Sequence, residues 1–148
     1  KTKAANDYIE KYKTIRKENS ATEAAIAANL GSIYSEAGIL EKAEEYYRKA
    51  LSLEPNSSVR MNTLAYFLID KDIDVDEGLQ MADTALKLRP DSYTLLHAKG
   101  WGLFKQGKFD EALEILQQSW NLRLEKASYD HQAYLYLEAA KKAVAGMK

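Results

Sequence analysis

The segment Ala50-Leu51-Ser52-Leu53-Glu54-Pro55 returns 35 residues later as Ala85-Leu86-Lys87-Leu88-Arg89-Pro90. Each copy is a helix-forming run that a proline closes. Proline ends a helix because it lacks the backbone N–H and its ring clashes with the preceding turn. A repeat of about this length is typical of proteins built from stacked helical units. The sequence therefore predicts a repeat architecture.

Three series of small residues share this period. They are Gly31, Ala65 and Gly100; Ala43, Gly78 and Ala112; and Ala50, Ala85 and Ser119. Neighbours within a series are 34 or 35 residues apart, and the order of the two spacings places a one-residue insertion between Leu68 and Gly78. Small side chains let two helix backbones approach closely, so we expect these positions to lie where helices cross.

The composition favours helices and excludes several classes of function. Among 148 residues there are only two prolines and seven glycines, and no run shows strand-like alternation. Without cysteine the chain has no disulfide, thiol nucleophile or cysteine-ligated metal site. A net charge of -1 provides no overall field that would attract nucleic acid or an acidic membrane. We predict an all-α chain.

The motifs of these units resemble those of tetratricopeptide repeat proteins. The clearest copy places Leu30, Gly31, Tyr34, Ala43, Tyr47, Ala50 and Pro55 in the order and spacing of that family. The third copy departs from the pattern, because Lys99 stands where an apolar residue is usual and no proline closes it. The resemblance implies a helical-hairpin solenoid of about three repeats, with a flanking helix at each end, of the kind found in bacterial repeat proteins.

We expect one domain over residues 1–148. Its predicted parts are an N-terminal helix at 1–20, repeats at 24–56, 57–91 and 92–125, and a C-terminal capping helix at 127–148. Gly38 and Gly107 are predicted left-handed helix caps, and Asp74 with Glu77 is a predicted capping box. Because the chain does not begin with Met, we expect it to be a piece of a longer protein.

In the resembled family, the first helices of successive pairs line a concave groove that receives peptides or partner helices. This implies a partner-binding surface formed by Asn62, Tyr66, Ile69, Thr94, His97, Trp101 and Phe104. Tyrosine and tryptophan are frequent hot spots because they are large, rigid and amphipathic. An alternative stays open, in which the final helix covers these rings through Tyr134, Leu135 or Tyr136.

Two other interpretations of single motifs are disfavoured. The acidic run at 70–77 has the alternating acids of a calcium loop, but counting from Asp70 the sixth and twelfth positions hold Val75 and Met81 instead of Gly and Glu. We expect an acidic turn there, with a patch for a basic partner as the functional alternative. His97 has no second ligand one turn away, so we expect a groove-lining or packed histidine and no metal site.

A chaperone-binding role is also disfavoured. Some members of the resembled family bind the C-terminal carboxylate of chaperones through a cluster of Lys, Arg and Asn. The corresponding positions here hold Ala28, Ser32, Thr94 and Ala98. None of them carries a positive charge, so we expect no carboxylate clamp of this kind.

The predicted function is a non-enzymatic scaffold that binds a protein or peptide. We expect no catalytic residue, cofactor, metal, nucleic acid, membrane or small-molecule substrate. The alternative is an assembly module that stacks on the rest of a longer chain or on itself, with its groove filled by its own C-terminal helix. The sequence leaves the oligomeric state open, with a slight preference for a monomer, and suits the cytoplasm and the periplasm equally.

Overall fold

The computed structural model describes residues 2–18, 21–127 and 129–147. These residues form helices and no strand. The helices are α1 (Thr2–Glu18), α2 (Glu23–Glu36), α3 (Leu40–Leu53), α4 (Ser58–Asp70), α5 (Val75–Leu88), α6 (Tyr93–Lys105), α7 (Phe109–Lys126) and α8 (His131–Gly146). Residues 1, 19, 20, 128 and 148 of the predicted terminal segments lie outside the described residues. The predicted all-α, helical-hairpin fold class is confirmed.

The chain divides into two compact units, Lys1–Arg60 and Met61–Lys148. In the first unit, α2 packs on α3 and the backbone of Gly31 lies against the ring of Tyr47. A Cβ at Gly31 would lie 2.6 Å from Tyr47 Cδ1, so only glycine permits this helix crossing. The ring of Tyr34 stacks on that of Tyr46 at 5.4 Å and closes the small core of the hairpin.

The second unit contains α5, α6, α7, α8 and the part of α4 from Met61 onward. Its fully buried large side chains are Leu64, Leu68, Ile69, Leu95, Leu116 and Leu137. Gly100 lies against Leu116, and a Cβ there would come within 2.6 Å of Leu116 Cγ. The predicted small residues at 34- and 35-residue spacing are all buried in their own units, as helix crossings require.

The predicted glycine caps and the predicted cap of α5 by Asp74 are confirmed. Gly38 and Gly107 have positive φ angles of 75° and 76°, which L side chains rarely adopt. Asp74 caps α5, because its Oδ1 accepts a hydrogen bond from the N–H of Glu77 at 2.8 Å. None of the described helices is long and apolar enough to cross a bilayer.

Candidate functional site

Four of the seven predicted partner-binding residues line one cavity in the second unit. Asn62 and Tyr66 lie one turn apart on α4, and Thr94 and His97 lie one turn apart on α6. Because both pairs follow helical spacing, each presents its side chains on one helix face. The cavity has a volume of about 220 Å³ and opens to solvent on one side.

The remaining walls come from residues that the sequence analysis did not select. They are Tyr93 on α6, Ser119 and Arg123 on α7, and Asp130, Gln132 and Ala133 around the start of α8. Ser119 Oγ donates a hydrogen bond to the carbonyl of Tyr93 at 2.7 Å, which ties α7 to the start of α6. The repeat spacing identified Ser119 only as a small residue at a helix crossing. It predicted that Ser119 packs between helices, and it did not predict that Ser119 lines a cavity.

The prediction that Ile69 lines the groove is wrong. Its side chain is fully buried within the second unit, where it lies against the backbones of Gly78 and Gly102. A Cβ at Gly78 would lie 2.6 Å from Ile69 Cγ1, so the glycine provides the space that the isoleucine fills. Ile69 shares helical spacing with Tyr66, but it lies in the last turn of α4, which other helices cover. Ile69 therefore packs in the hydrophobic core, where a partner cannot contact it.

Trp101 and Phe104 lie outside the cavity, in a stack of rings that α8 completes. The ring of Tyr136 stacks on Trp101 at 3.9 Å and on His97 at 5.0 Å, and Trp101 stacks on Phe104 at 4.9 Å. Contacts between aromatic rings stabilise beyond the area that they bury. Of the three α8 residues named in the alternative, Tyr136 contacts these rings, whereas Tyr134 and Leu135 are exposed.

Hydrogen bonds hold Tyr136 in this position. Its hydroxyl donates to Asp70 Oδ1 at 3.0 Å, and the hydroxyls of Tyr66 and Tyr136 lie 3.0 Å apart. Burial raises the pKa of both tyrosines above the usual value, so both hydroxyls stay protonated and can donate. Tyr66 thus joins the two parts of the groove, because it also lines the cavity.

An ion pair closes the end of the cavity next to α8. The Arg123 guanidinium donates from Nη2 to Asp130 Oδ2, and it lies over the ring of Tyr93 at 5.0 Å. Asp130 also caps α8, because its Oδ1 accepts from the N–H of Ala133 at 3.0 Å. This backbone hydrogen bond, followed by Arg123, holds the pKa of the Asp130 carboxyl below its usual range. The pair therefore stays ionised at neutral pH and carries no net charge.

His97 lies between the rings of Tyr66 and Tyr136. Burial lowers the pKa of its imidazole from 6.5 to about 4, and Arg123 contributes in the same direction, whereas Asp130 and Asp70 oppose it. His97 is consequently neutral at physiological pH. A neutral imidazole carries one donor and one acceptor nitrogen, which suits a polar cavity better than a buried charge.

We expect the stability of the second unit to fall as the pH drops from about 6.5 to 4. The folded pKa of His97 lies below the unfolded value, so in this window the unfolded chain binds the extra proton. The free energy of unfolding should then decrease by about 1.4 kcal/mol per pH unit from this group. Urea unfolding at several pH values, followed by tryptophan fluorescence, measures it, since Trp101 and Trp120 both lie in this unit.

Variants of the two histidines provide the control for this prediction. His97→Gln should flatten the pH dependence, whereas His131→Gln, at an exposed position at the start of α8, should leave it as in the wild type. Equal slopes for the wild type and His97→Gln would contradict a buried neutral His97.

The acidic run at 70–77 spans the last residue of α4, the turn between the helices and the first residues of α5. Asp72 forms an ion pair with Lys105 at 2.6 Å, and Asp76 accepts a hydrogen bond from Gln106 at 2.6 Å. Asp72 and Asp76 are thus engaged by side chains at the C-terminal end of α6. Across the part of the chain that the structure describes, no group of three His, Asp or Glu residues is placed to hold a metal ion.

Comparison with known sequences matches two segments to tetratricopeptide repeats. Family profiles for this repeat match residues 24–57 and residues 94–133, which together cover half of the chain. A TPR repeat-containing protein of Pseudomonas aeruginosa is 31% identical over 80 residues. The match covers 54% of this chain but only 14% of that relative, so the chain spans a small part of its length.

Solved structures of the same architecture are similar to this chain. The Sgt2 TPR domain of Aspergillus fumigatus superposes with a TM-score of 0.72 at 17% identity, covering 84% of this chain and 81% of that domain. The first TPR domain of Spaghetti, bound to an HSP90 peptide, gives 0.69 at 18% identity, covering 83% of this chain and 94% of that domain. At such identities the likeness concerns the fold alone.

Proposed function

Since this chain belongs to the tetratricopeptide repeat family, we propose that its second unit is a non-enzymatic interaction module that binds a peptide or partner helix at the cavity. The supporting observation is that one open cavity is lined by four residues that the family resemblance had already selected: Asn62, Tyr66, Thr94 and His97. Members of this fold typically act through protein contacts. One structural neighbour holds a peptide, which supports the same class of ligand here.

The chemistry of the cavity supports binding and not catalysis. Ser119 and His97 both line it, yet the Ser119 hydroxyl donates to the Tyr93 carbonyl. A serine nucleophile needs its proton to face a base, so this pair lacks the geometry for acyl transfer. Arg123 and Asp130 are likewise engaged with each other. These lining side chains therefore do not form a pair of nucleophile and base.

The ligand differs in chemistry from the acidic peptide of the HSP90-bound neighbour. Thr94 and Ala98 in the second unit, like Ala28 and Ser32 in the first, carry no positive charge. Ala98 is also fully buried, so it offers no surface to a ligand. A terminal carboxylate would lose its hydration without gaining a cation, which is costly. We propose a neutral, partly aromatic or amide-bearing peptide.

The stacking of Tyr136 on Trp101 favours a second candidate function. A groove whose Trp101 and Phe104 are already engaged by the chain's own α8 suits an assembly module, in which the stack fixes the last hairpin of the unit. Under this proposal the free surface outside the groove makes the intermolecular contacts. Placing a charge at the cavity would then leave partner binding unchanged.

We expect Thr94→Glu to weaken peptide binding by about tenfold or more. Thr94 is exposed at the cavity mouth in the first turn of α6, where a glutamate is favourable for the helix but places a charge in a neutral site. Peptides selected from a random displayed library on the wild-type chain serve as ligands, and fluorescence anisotropy gives Kd.

Thr84→Glu is the matched control for this experiment. Thr84 is an exposed threonine on α5 that does not line the cavity, so the same substitution there should change Kd by less than about twofold. Equal effects of the two substitutions, or a library that yields no binding peptide, would contradict the proposed function.

A further inference from the structure

A second cavity lies in the first unit, with walls from α1, α2 and α3, and it opens to solvent. Its apolar lining comes from Ile26, Ala27 and Leu30 of α2 and from the half-buried ring of Tyr46 on α3. The volume is about 240 Å³, which exceeds the roughly 150 Å³ of an apolar cavity that binds benzene, a molecule larger than an isoleucine side chain. An aliphatic side chain of a partner therefore fits in it.

Three lysines also line this cavity, which we call the lysine cavity: Lys13 and Lys17 on α1 and Lys49 on α3. Lys13 Nζ pairs with Glu10 Oε1 at 2.8 Å, whereas Lys17 and Lys49 are exposed and form no ion pair with a described residue. Glu23 is the one acid among the described lining residues. With Lys13 paired, Lys17 and Lys49 still outnumber Glu23, so the cavity carries a net positive charge.

The lysine cavity lies on the side of α2 that points away from the predicted groove. Ile26 and Leu30 follow each other by one helical turn and line the cavity. Ala28 and Ser32, the groove positions of the same helix, each follow them by two residues, which is about 200° round the helix axis. A ligand of the lysine cavity is therefore bound on a different surface from a ligand of the groove.

The turn between α4 and α5 in the second unit has the complementary chemistry. Ile73 is an exposed aliphatic side chain there, and it stands between the exposed acids Asp72 and Asp74. Lys105 engages Asp72 Oδ2, and the N–H of Glu77 engages Asp74 Oδ1. The second oxygen of each carboxylate can accept from a further cation. An aliphatic side chain between two carboxylates matches an apolar cavity lined by lysines.

This turn is already ordered in the free chain. The N–H of Ile73 donates to the carbonyl of Leu68 at 2.9 Å, and Asp74 caps α5. The ion pair with Lys105 holds Asp72 against the end of α6. A segment that is ordered beforehand loses little conformational entropy on binding, which favours association through a small surface.

We propose that two copies of this chain associate head to tail, with the Ile73 turn of one copy in the lysine cavity of the other. Ile73 contacts the apolar walls, and Asp72 and Asp74 pair with Lys17 and Lys49. Each copy keeps one free cavity or one free turn, so the contact is heterologous and can extend the assembly. The inference rests on the assembly function, for which it names the contact, and neither surface lines the cavity of the second unit.

Static light scattering of the full chain tests this association. We expect the weight-average mass to rise at least about twofold between about 10 μM and 1 mM protein at low ionic strength, the range in which a contact of small area associates. About 0.5 M salt should lower the mass toward that of the monomer, because salt screens attraction between exposed charges. A wild-type chain that stays monomeric at the highest concentration would overturn the inference.

Two variants each remove one half of the contact. Lys17→Glu with Lys49→Glu reverses the charge of the lysine cavity, and Ile73→Lys places a cation on the turn while its methylene groups stay packed. We expect each variant alone to be monomeric. An equimolar mixture should form a one-to-one dimer, because the intact turn of the first fits the intact cavity of the second and the assembly cannot extend further. This dimer also shows that both variants are folded. A mixture that does not associate would overturn the inference.

Matched variants outside the contact provide the control. Lys3→Glu with Lys11→Glu changes two exposed lysines of α1 that do not line the cavity, and Leu88→Lys changes an exposed leucine at the end of α5. Both should associate like the wild type, and an equal loss of association in them would also overturn the inference. A monomeric chain whose library peptides are still lost with Thr94→Glu would contradict this contact and leave the peptide-binding function intact.

Discussion

Replacing Tyr136 with alanine should lower the free energy of unfolding of the second unit by about 3–5 kcal/mol, the range for truncating a large buried aromatic side chain. The ring is 9% exposed and stacks on both Trp101 and His97. Its hydroxyl also bonds Asp70 and meets that of Tyr66. Truncation therefore leaves a cavity and removes one hydrogen-bond partner from each of two partly buried groups, Asp70 Oδ1 and the Tyr66 hydroxyl. Urea unfolding followed by tryptophan fluorescence measures the loss.

Tyr136→Phe separates the ring from the hydroxyl. It keeps the stack and removes only the bonds to Asp70 and Tyr66, so we expect a loss of about 1–2 kcal/mol. Tyr134→Ala, at a more exposed tyrosine of the same helix, should cost less than Tyr136→Ala. If Tyr136→Ala and Tyr134→Ala cost the same, α8 is not anchored through the aromatic stack, and the assembly proposal loses its supporting observation.

Replacing Gly100 with valine should destabilise the second unit by about 3 kcal/mol, at the upper end of overpacking costs. A Cβ at this position would lie 2.6 Å from Leu116 Cγ and 3.2 Å from the Leu116 backbone nitrogen. Leu116 cannot move aside, because it is buried in a cluster with Leu137 and Ala140. The helices α6 and α7 must then separate, which opens the core between them. Thermal or urea unfolding of the full chain provides the measurement.

Gly146→Ala is the contrasting control. Gly146 lies at the end of α8, and a Cβ there meets no atom within 4 Å. Alanine should be neutral or stabilise the helix by up to about 1 kcal/mol, because glycine loses more conformational freedom on folding. Similar losses at Gly100 and Gly146 would mean that the close helix crossing at Gly100 does not form.

The fold could be predicted from sequence because close helix crossings impose a local rule. Where two backbones approach, only glycine, alanine or serine fits, and the rule repeats with every structural unit. Gly31, Gly100 and Ala112 obey it, and each is buried. The turns obey similar local rules, since Gly107 adopts a positive φ angle, which L side chains rarely adopt. Such signals need no knowledge of distant contacts.

The candidate site could be predicted only in part. Helical spacing placed Asn62, Tyr66, Thr94 and His97 on two faces that meet at the cavity, but it also selected Ile69, which is buried. Spacing defines a helix face and does not say which turn of that face another helix covers. The glycines at 78 and 102 carried the missing signal, because a glycine at a crossing marks a bulky neighbour in the partner helix.

By itself, the sequence determined that this protein is all-helical, where its helices turn and which small residues separate them, because these properties follow from backbone sterics within one repeat. Only the tertiary structure decided what the aromatic side chains do. Tyr66 and Tyr136 are 70 residues apart, yet their hydroxyls lie 3.0 Å from each other. Arg123 and Asp130 complete a cavity with residues from α4 and α6. Contacts between residues so far apart in sequence depend on how the helices are oriented. The repeat spacing of the sequence does not specify that orientation.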